Sequence, residues 1–210
     1  MPTILLTGFG PFPRAPFNPT APLVARLARL RRPGLHDGKL VAHVFATSYA
    51  AVDRELPRLI ARHKPDALLM FGLAPRARVL RIETRARNAV ALLPDVAGGS
   101  PPRHAIAPAS RVAKPLPAPA QQLLGSVRAA RLPAVLSHDA GRYLCNYLCW
   151  RAAAAVGKNG GPRLTAFIHV PPVARARVPR ARLKSQRFSA DDLLRAGTRL
   201  VMVIAAAARR

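Results

Sequence analysis

The chain has 210 residues, half of them apolar, and a formal net charge of +25. That length buries one substantial core and crowds a second, so one domain spanning residues 1–210 is expected. No apolar run reaches the roughly 18 residues of a membrane span. Met1 leads into an apolar strand pattern without a basic lead or a small-residue cleavage site, so a cytoplasmic location is expected. Such a charge invites nucleic acid as a partner. The basic residues are overwhelmingly Arg, however, scattered through an Ala- and Pro-rich chain with no nucleic-acid-binding motif. This reads as compositional bias, and nucleic acid and membrane surfaces are disfavoured as partners.

In chain order, residues 3–8 form a short apolar run closed by glycine, which suits a buried strand. Residues 19–32 carry Leu23, Leu27 and Leu30 at helical spacing. Residues 39–46 alternate as a second strand, and residues 49–62 place Leu56, Leu59 and Ile60 on one helical face. Residues 66–72 are again continuously apolar. Alternating strands and helices predict an α/β protein with a mostly parallel sheet covered on both faces. Residues 78–93 favour extended backbone. Residues 94–119 hold seven prolines and read as an irregular surface loop or a lid. Helix 121–131, strand 134–137, helix 143–156 and strand 164–170 follow. Residues 173–187 carry six basic residues and read as an exposed, mobile loop. Ser189 with Asp191 and Asp192 then caps a final helix reaching Ala208.

Sites in parallel sheets gather at the carboxyl ends of strands, where four features fall: Gly8-Phe9-Gly10-Pro11-Phe12, Gly72 with Glu83 beyond it, Cys145 after strand 134–137, and His169 closing strand 164–170. Cys145 is expected in the first turn of its helix, where free N–H groups and the helix dipole stabilise a thiolate and can hold an oxyanion. Its alternative is an inert buried thiol, the reading preferred for Cys149 one turn further on. The pair is neither a disulfide framework nor a zinc set. His169 reads either as a hydrogen-bonded structural histidine or as the base a catalytic thiol needs. Glu83, one of two glutamates, sits among Arg81, Arg85 and Arg87 and reads as a basic strand's ion-pair partner or as the carboxylate that orients the histidine. The Gly8 to Phe12 run lacks the spacing of a phosphate or dinucleotide loop. It is a turn with buried aromatics, or the wall of a small apolar pocket.

In this order and spacing the features resemble the pyroglutamyl peptidase I, or pyrrolidone-carboxyl peptidase, family over essentially the whole chain. Family members carry G-F-G-P-F followed by Asn-Pro, matched by Gly8 to Phe12 and Asn18-Pro19. Gly72, Ala74, Glu83 and Asn88 keep the family intervals, Ala140 to Asn146 match A-G-x-Y-x-C-N, and Phe167 to Pro171 match F-I-H-V-P. The resemblance implies a three-layer α/β/α sandwich and a cytoplasmic cysteine omega-peptidase that hydrolyses the bond after an N-terminal pyroglutamyl residue. Cys145 is then the nucleophile, His169 the general base and acid, and Glu83 the group that orients His169. Phe9 and Phe12 sandwich the lactam, Asn18 and backbone near Leu73 position it, and Leu144 adds apolar wall. The implied partner is a small peptide with a blocked N-terminus, homo-oligomers are frequent, and no metal or organic cofactor is implied.

Two departures stand out. Gly72-Leu73-Ala74-Pro75-Arg76 replaces the usual G-Q-A-G-G-R, and the segment after Asn88 lacks the arginine that serves the family's oxyanion region. Arg85, Arg87 and Arg142 are the candidates to stand in for it. The rival functions are a thiol hydrolase acting on another small N-terminal or amide-linked group, and a non-catalytic basic binding protein using residues 173–187.

Overall fold

The computed structural model describes residues 1–12, 15–108, 112–158, 160–174 and 188–210. Most of the Arg-rich segment expected to be an exposed loop, residues 175–187, therefore lies outside the described residues. Strand β1 (Thr3–Phe9) leads through α1 (Thr20–Leu27) to β2 (Lys39–Phe45), and α2 (Tyr49–His63) leads on to β3 (Ala67–Leu73). There follow β4 (Leu80–Glu83), β5 (Arg85–Arg87), β6 (Ala113–Pro115), α3 (Ala120–Ala129), β7 (Ala134–Ser137), α4 (Leu144–Ala155), β8 (Leu164–Val170) and α5 (Ala190–Ala208).

Six strands form the central sheet in the order β2-β1-β3-β8-β4-β7, and β5 pairs with β6 in a separate two-stranded sheet. Strands β2, β1, β3 and β8 are mutually parallel, while β4 runs antiparallel to β8 and carries β7 parallel beside it. The connection through α1 steps outward from β1, and the one through α2 steps back past β1 to β3. Right-handed crossovers in opposite directions put these helices on opposite faces. Accordingly, Leu23, Val24 and Leu27 of α1 pack with α3 and α5 against Ile4, Leu6, Leu69 and Phe71. Val52, Leu56 and Ile60 of α2 pack with α4 against Leu5, Leu68 and Met70 on the other face. Every residue of β3 is buried, because helices cover both faces. The result is the three-layer α/β/α sandwich with a mostly parallel sheet expected from the sequence.

Helix α1 stops at Leu27, short of the expected Arg32. Arg32 precedes Pro33, whose ring disfavours helical backbone at the residue before it, and Arg32 is extended at φ −140° and ψ 144°. Leu30 still packs against the core from the turn that follows, so the apolar spacing outlives the helix. In the Pro-rich stretch, β6 sets Ala113, Lys114 and Pro115 against Arg87, Ala86 and Arg85. Proline is tolerated there because the pair is only an edge ribbon. Helix α5 starts at the expected cap: Asp192 N donates to Ser189 Oγ and Ser189 N to Asp192 Oδ2, each at 3.0 Å.

Candidate active site

The order β2-β1-β3 puts a switch in winding direction between β1 and β3, where α/β sheets open a crevice at their carboxyl ends. The Gly8 to Phe12 run, Gly72-Leu73 and His169 do lie at the carboxyl ends of parallel β1, β3 and β8. Glu83 and the segment after Ser137 do not, because β4 and β7 run the other way. Ser137 is level with Glu83, which is level with Phe167, two residues short of His169. The chain climbs back through residues 138–143 before α4 begins.

That reversal brings the carboxylate to the imidazole. His169 is paired across the strands with Arg81, and Glu83 lies two residues from Arg81 on the same face. The diagonal neighbours meet with His169 Nδ1 2.8 Å from Glu83 Oε1, both residues being buried. Arg81 Nε stands 3.5 Å from the same oxygen, and its Nη2 donates to Ser137 Oγ at 2.6 Å and to the Asp139 carbonyl at 2.9 Å. With Nδ1 engaged, His169 is left with Nε2 to serve the sulfur.

Cys145 sits in the first turn of α4, as expected. Tyr143, the N-cap, is extended and offers no side-chain cap, so the first N–H groups of the helix stay available at its positive end. Asn146 locks this turn in place: its Oδ1 accepts from Arg87 N at 2.9 Å, and its Nδ2 donates to the carbonyls of Arg87 and Ala89, each at 2.8 Å. The preceding turn needs Gly141, whose φ of +83° lies in the left-handed region. Cys145 is half-buried and Cys149 fully buried, and neither is in a disulfide.

Burial opposes a charged His169, yet the charge of Cys145 and a hydrogen bond to it, followed by the Glu83 contact, outweigh burial and push the imidazole up to about 9. The site thus favours a protonated imidazole beside Cys145. Burial, with the charge of Cys145 second, lifts the Cys149 thiol well above its ordinary value, which suits the inert core role expected of it.

Cys145 and His169 open onto a cavity of about 390 Å³ whose walls include Phe9, Phe12, Asn18, Leu73 and Leu144. The structure therefore brings together the expected catalytic and substrate-binding residues, with Glu83 behind the imidazole rather than on the wall. Asn18 uses its amide to build the wall: Nδ2 donates to the Gly10 carbonyl at 3.0 Å, and Oδ1 accepts from Thr20 N and Oγ1. Thr47, which carries no motif signal, lines the cavity and donates to the Gly10 carbonyl at 3.1 Å. Of the three candidate arginines only Arg142 lines the cavity. Arg87 pairs with Asp139 at 3.0 Å and Arg85 Nε donates to the His138 carbonyl. Arg81, one Arg among many in the sequence, is the other arginine on the wall.

No described residue of 94–119 lines the cavity. The stretch is tied down instead: Asp95 accepts from the N–H groups of Tyr49, Ala97 and Gly99, Tyr143 Oη donates to the Pro94 carbonyl, and Asn88 exchanges hydrogen bonds with Ala107.

A thiol at an uncapped helix N-terminus and an imidazole beside it, facing an apolar cavity on an α/β/α sandwich with a buried carboxylate behind the imidazole, define a hydrolase of the cysteine-nucleophile class. A family model described as pyroglutamyl peptidase matches residues 2–208. The pyrrolidone-carboxylate peptidase of Pyrococcus furiosus is 30% identical over 169 residues, covering 80% of each chain, and pyrrolidone-carboxylate peptidase 1 of Ralstonia nicotianae is 31% identical over 205 residues, covering 96% of this chain and 92% of that one. The solved pyrrolidone carboxyl peptidase from Thermococcus litoralis superposes with a TM-score of 0.84 at 25% identity, over 97% of this chain and 94% of that one. The chain belongs to the pyroglutamyl peptidase family.

Proposed function

We propose that this protein is a cysteine omega-peptidase that removes an N-terminal pyroglutamyl residue from short peptides, working as one catalytic domain over residues 1–210. The observation that carries the residue roles is the 2.8 Å contact between His169 Nδ1 and Glu83 Oε1 beside Cys145. It leaves Nε2 to face the sulfur, and it adds to the larger influence of Cys145 in raising the imidazole.

Cys145 Sγ attacks the carbonyl carbon that links the lactam residue to the next amino acid. The oxyanion is received by first-turn N–H groups of α4, where uncapped donors already point. As the tetrahedral adduct collapses, the proton on His169 Nε2 passes to the leaving amine and a thioester remains on Cys145. Water, deprotonated by His169, then attacks the thioester and releases pyroglutamate. Phe9 and Phe12 hold the lactam between their rings, Leu73 and Leu144 complete the apolar wall, and Asn18 acts by holding the aromatic loop in place. Among the described residues no helix is long and apolar enough to cross a membrane, and the two free thiols suit a reducing compartment such as the cytoplasm.

Leu73, Ala74 and Pro75 stand on the wall where the family carries a glutamine side chain, which favours one second reading: the same chemistry on a different small amide-linked group. Chromophore release from pyroglutamyl, prolyl and alanyl amides by wild type and Cys145→Ser separates the two. Turnover confined to the pyroglutamyl amide and lost in the variant supports the proposal. Turnover of another amide alone selects the second reading, and no turnover of any of them contradicts both.

A further inference from the structure

A peptide whose α-amino group is closed into a lactam carries no positive N-terminus. The charge nearest its scissile bond is therefore a carboxylate on the leaving side, from the C-terminus of a dipeptide or an acidic side chain in the leaving residue. The cavity wall holds two arginines and one aspartate, and their commitments differ. Arg81 is engaged with Glu83, Ser137 and the Asp139 carbonyl. Asp139 pairs with Arg87 through Oδ2 at 3.0 Å and accepts from Gly141 N through Oδ1 at 2.9 Å. His169 is engaged with Glu83 at 2.8 Å and with Cys145. Arg142 is different. Its carbonyl is pinned by Ala91 N at 2.7 Å, while its side chain is exposed and its guanidinium has no hydrogen-bond or ion-pair partner among the described residues.

The uncompensated charge on the wall is thus a planar, five-donor cation three residues before the nucleophile. It comes from the loop leading into α4, whereas Phe9 and Phe12 come from the loop after β1. A cavity of about 390 Å³ that takes the lactam between those rings leaves the next residue at its lip, within the sweep of an exposed arginine. Guanidinium matches carboxylate through paired N–H donors.

Resting on the pyroglutamyl reading of the site, we propose that Arg142 is a specificity residue that binds a carboxylate on the leaving residue, so that the preferred substrates are pyroglutamyl dipeptides or peptides with an acidic residue directly after the lactam. The backbone anchor at Ala91 holds the loop whatever the side chain, so exchanging Arg142 tests the charge rather than the fold.

The experiment is calorimetric binding to Cys145→Ser, which cannot turn over, of three ligands: pyroglutamyl-alanine, its C-terminal amide, and pyroglutamyl-glutamic acid α-amide, whose side-chain carboxylate is free. An exposed, screened ion pair amounts to roughly a fivefold difference in affinity. Pyroglutamyl-alanine is expected to bind about fivefold more tightly than its amide if the C-terminal carboxylate is the group recognised, and the glutamic α-amide to do so if an acidic side chain serves as well. The preference is expected to collapse toward unity in Cys145→Ser/Arg142→Gln, to persist in part in Cys145→Ser/Arg142→Lys, and to shrink with added salt. Equal affinities for acids and amide, or a preference that survives Arg142→Gln, overturn the assignment. So does a loss of kcat in Arg142→Gln that is the same for acid and amide substrates, because that marks an oxyanion donor. Turnover by wild type is read separately. If the ligands bind with the stated preference and wild type cleaves none of them, the peptidase reading fails and the carboxylate subsite stands.

Discussion

The Cys145 sulfur occupies the space that a side chain at residue 72 would need: a Cβ on Gly72 would lie 2.7 Å from Sγ and 2.6 Å from Cζ of Phe167. Neither neighbour yields freely. Phe167 is fully buried, and its ring meets that of His169 edge-on with centroids 5.0 Å apart. A methyl group at residue 72 therefore displaces Cys145, His169 or both. Gly72→Ala is expected to lower kcat/KM for a pyroglutamyl amide about 100-fold, the scale of an ångström-sized misplacement, while destabilising the fold by about 1–3 kcal/mol. Steady-state kinetics and thermal denaturation of the same preparation check both numbers.

Glu83 is fully buried as a side chain, and its Oε2 has no hydrogen-bond partner among the described residues. A buried carboxylate in that state is held by its charge relations with His169 and Arg81. Glu83→Gln keeps the shape and removes the charge, and an amide can present either a donor or an acceptor to Nδ1. Activity is expected to fall about 10³- to 10⁴-fold, by analogy with loss of the orienting acid in a serine triad. Imidazole titration by NMR should also find His169 losing its proton at lower pH than in wild type. Unchanged kcat/KM contradicts the orienting role.

The raised His169 value sets a pH window. Because the folded-state pKa of about 9 exceeds the ordinary 6.5, the protonated pair stabilises the fold below the unfolded value and that contribution is lost as pH rises through about 9. Denaturation midpoints across this range should fall toward the alkaline end. Cys145→Ser, which removes the sulfur whose charge and hydrogen bond are the leading sources of the rise, should shift the fall to lower pH. Activity should share the alkaline limb, since a neutral imidazole cannot protonate the leaving amine.

Cys149 provides an internal control four residues from Cys145. It is fully buried with its thiol pushed up, whereas Cys145 reaches the cavity. Cys149→Ala is expected to cost about 1 kcal/mol of stability through the small void it leaves, and to leave kcat/KM within about twofold. Comparable losses of activity in Cys149→Ala and Cys145→Ser contradict the assignment.

What the sequence made legible follows the physics of each element. Continuous apolar runs located β1, β3 and β8 because both sheet faces are covered, and Ser189 with Asp192 announced α5 through a local cap. The reach of α1 was not legible, since Leu30 packs on the core from a turn as well as it would from a helix. Nor was β6, three residues with a proline whose pairing depends on where β5 lies. In the site, Cys145, His169 and Glu83 stood out together by spacing, but the contact between His169 and Glu83 depends on β4 running antiparallel to β8. Strand direction is decided by how the chain returns to the sheet and leaves no local mark. The different fates of Arg81, Arg85, Arg87 and Arg142 are likewise tertiary, because an arginine's partner is chosen by what lies across the fold.

The central claim is that the Cys145 sulfur becomes covalently acylated by the pyroglutamyl group. Rapid acid quench of wild-type protein with a pyroglutamyl amide, followed by peptide mass spectrometry, tests this directly. Cys145 and Cys149 share the stretch Tyr143 to Arg151 with no basic residue between them, so fragmentation must assign the site. The account predicts one pyroglutamyl acyl increment on Cys145, absent from Cys145→Ser. An increment on Cys149, or product accumulating in Cys145→Ser at the wild-type rate, contradicts it.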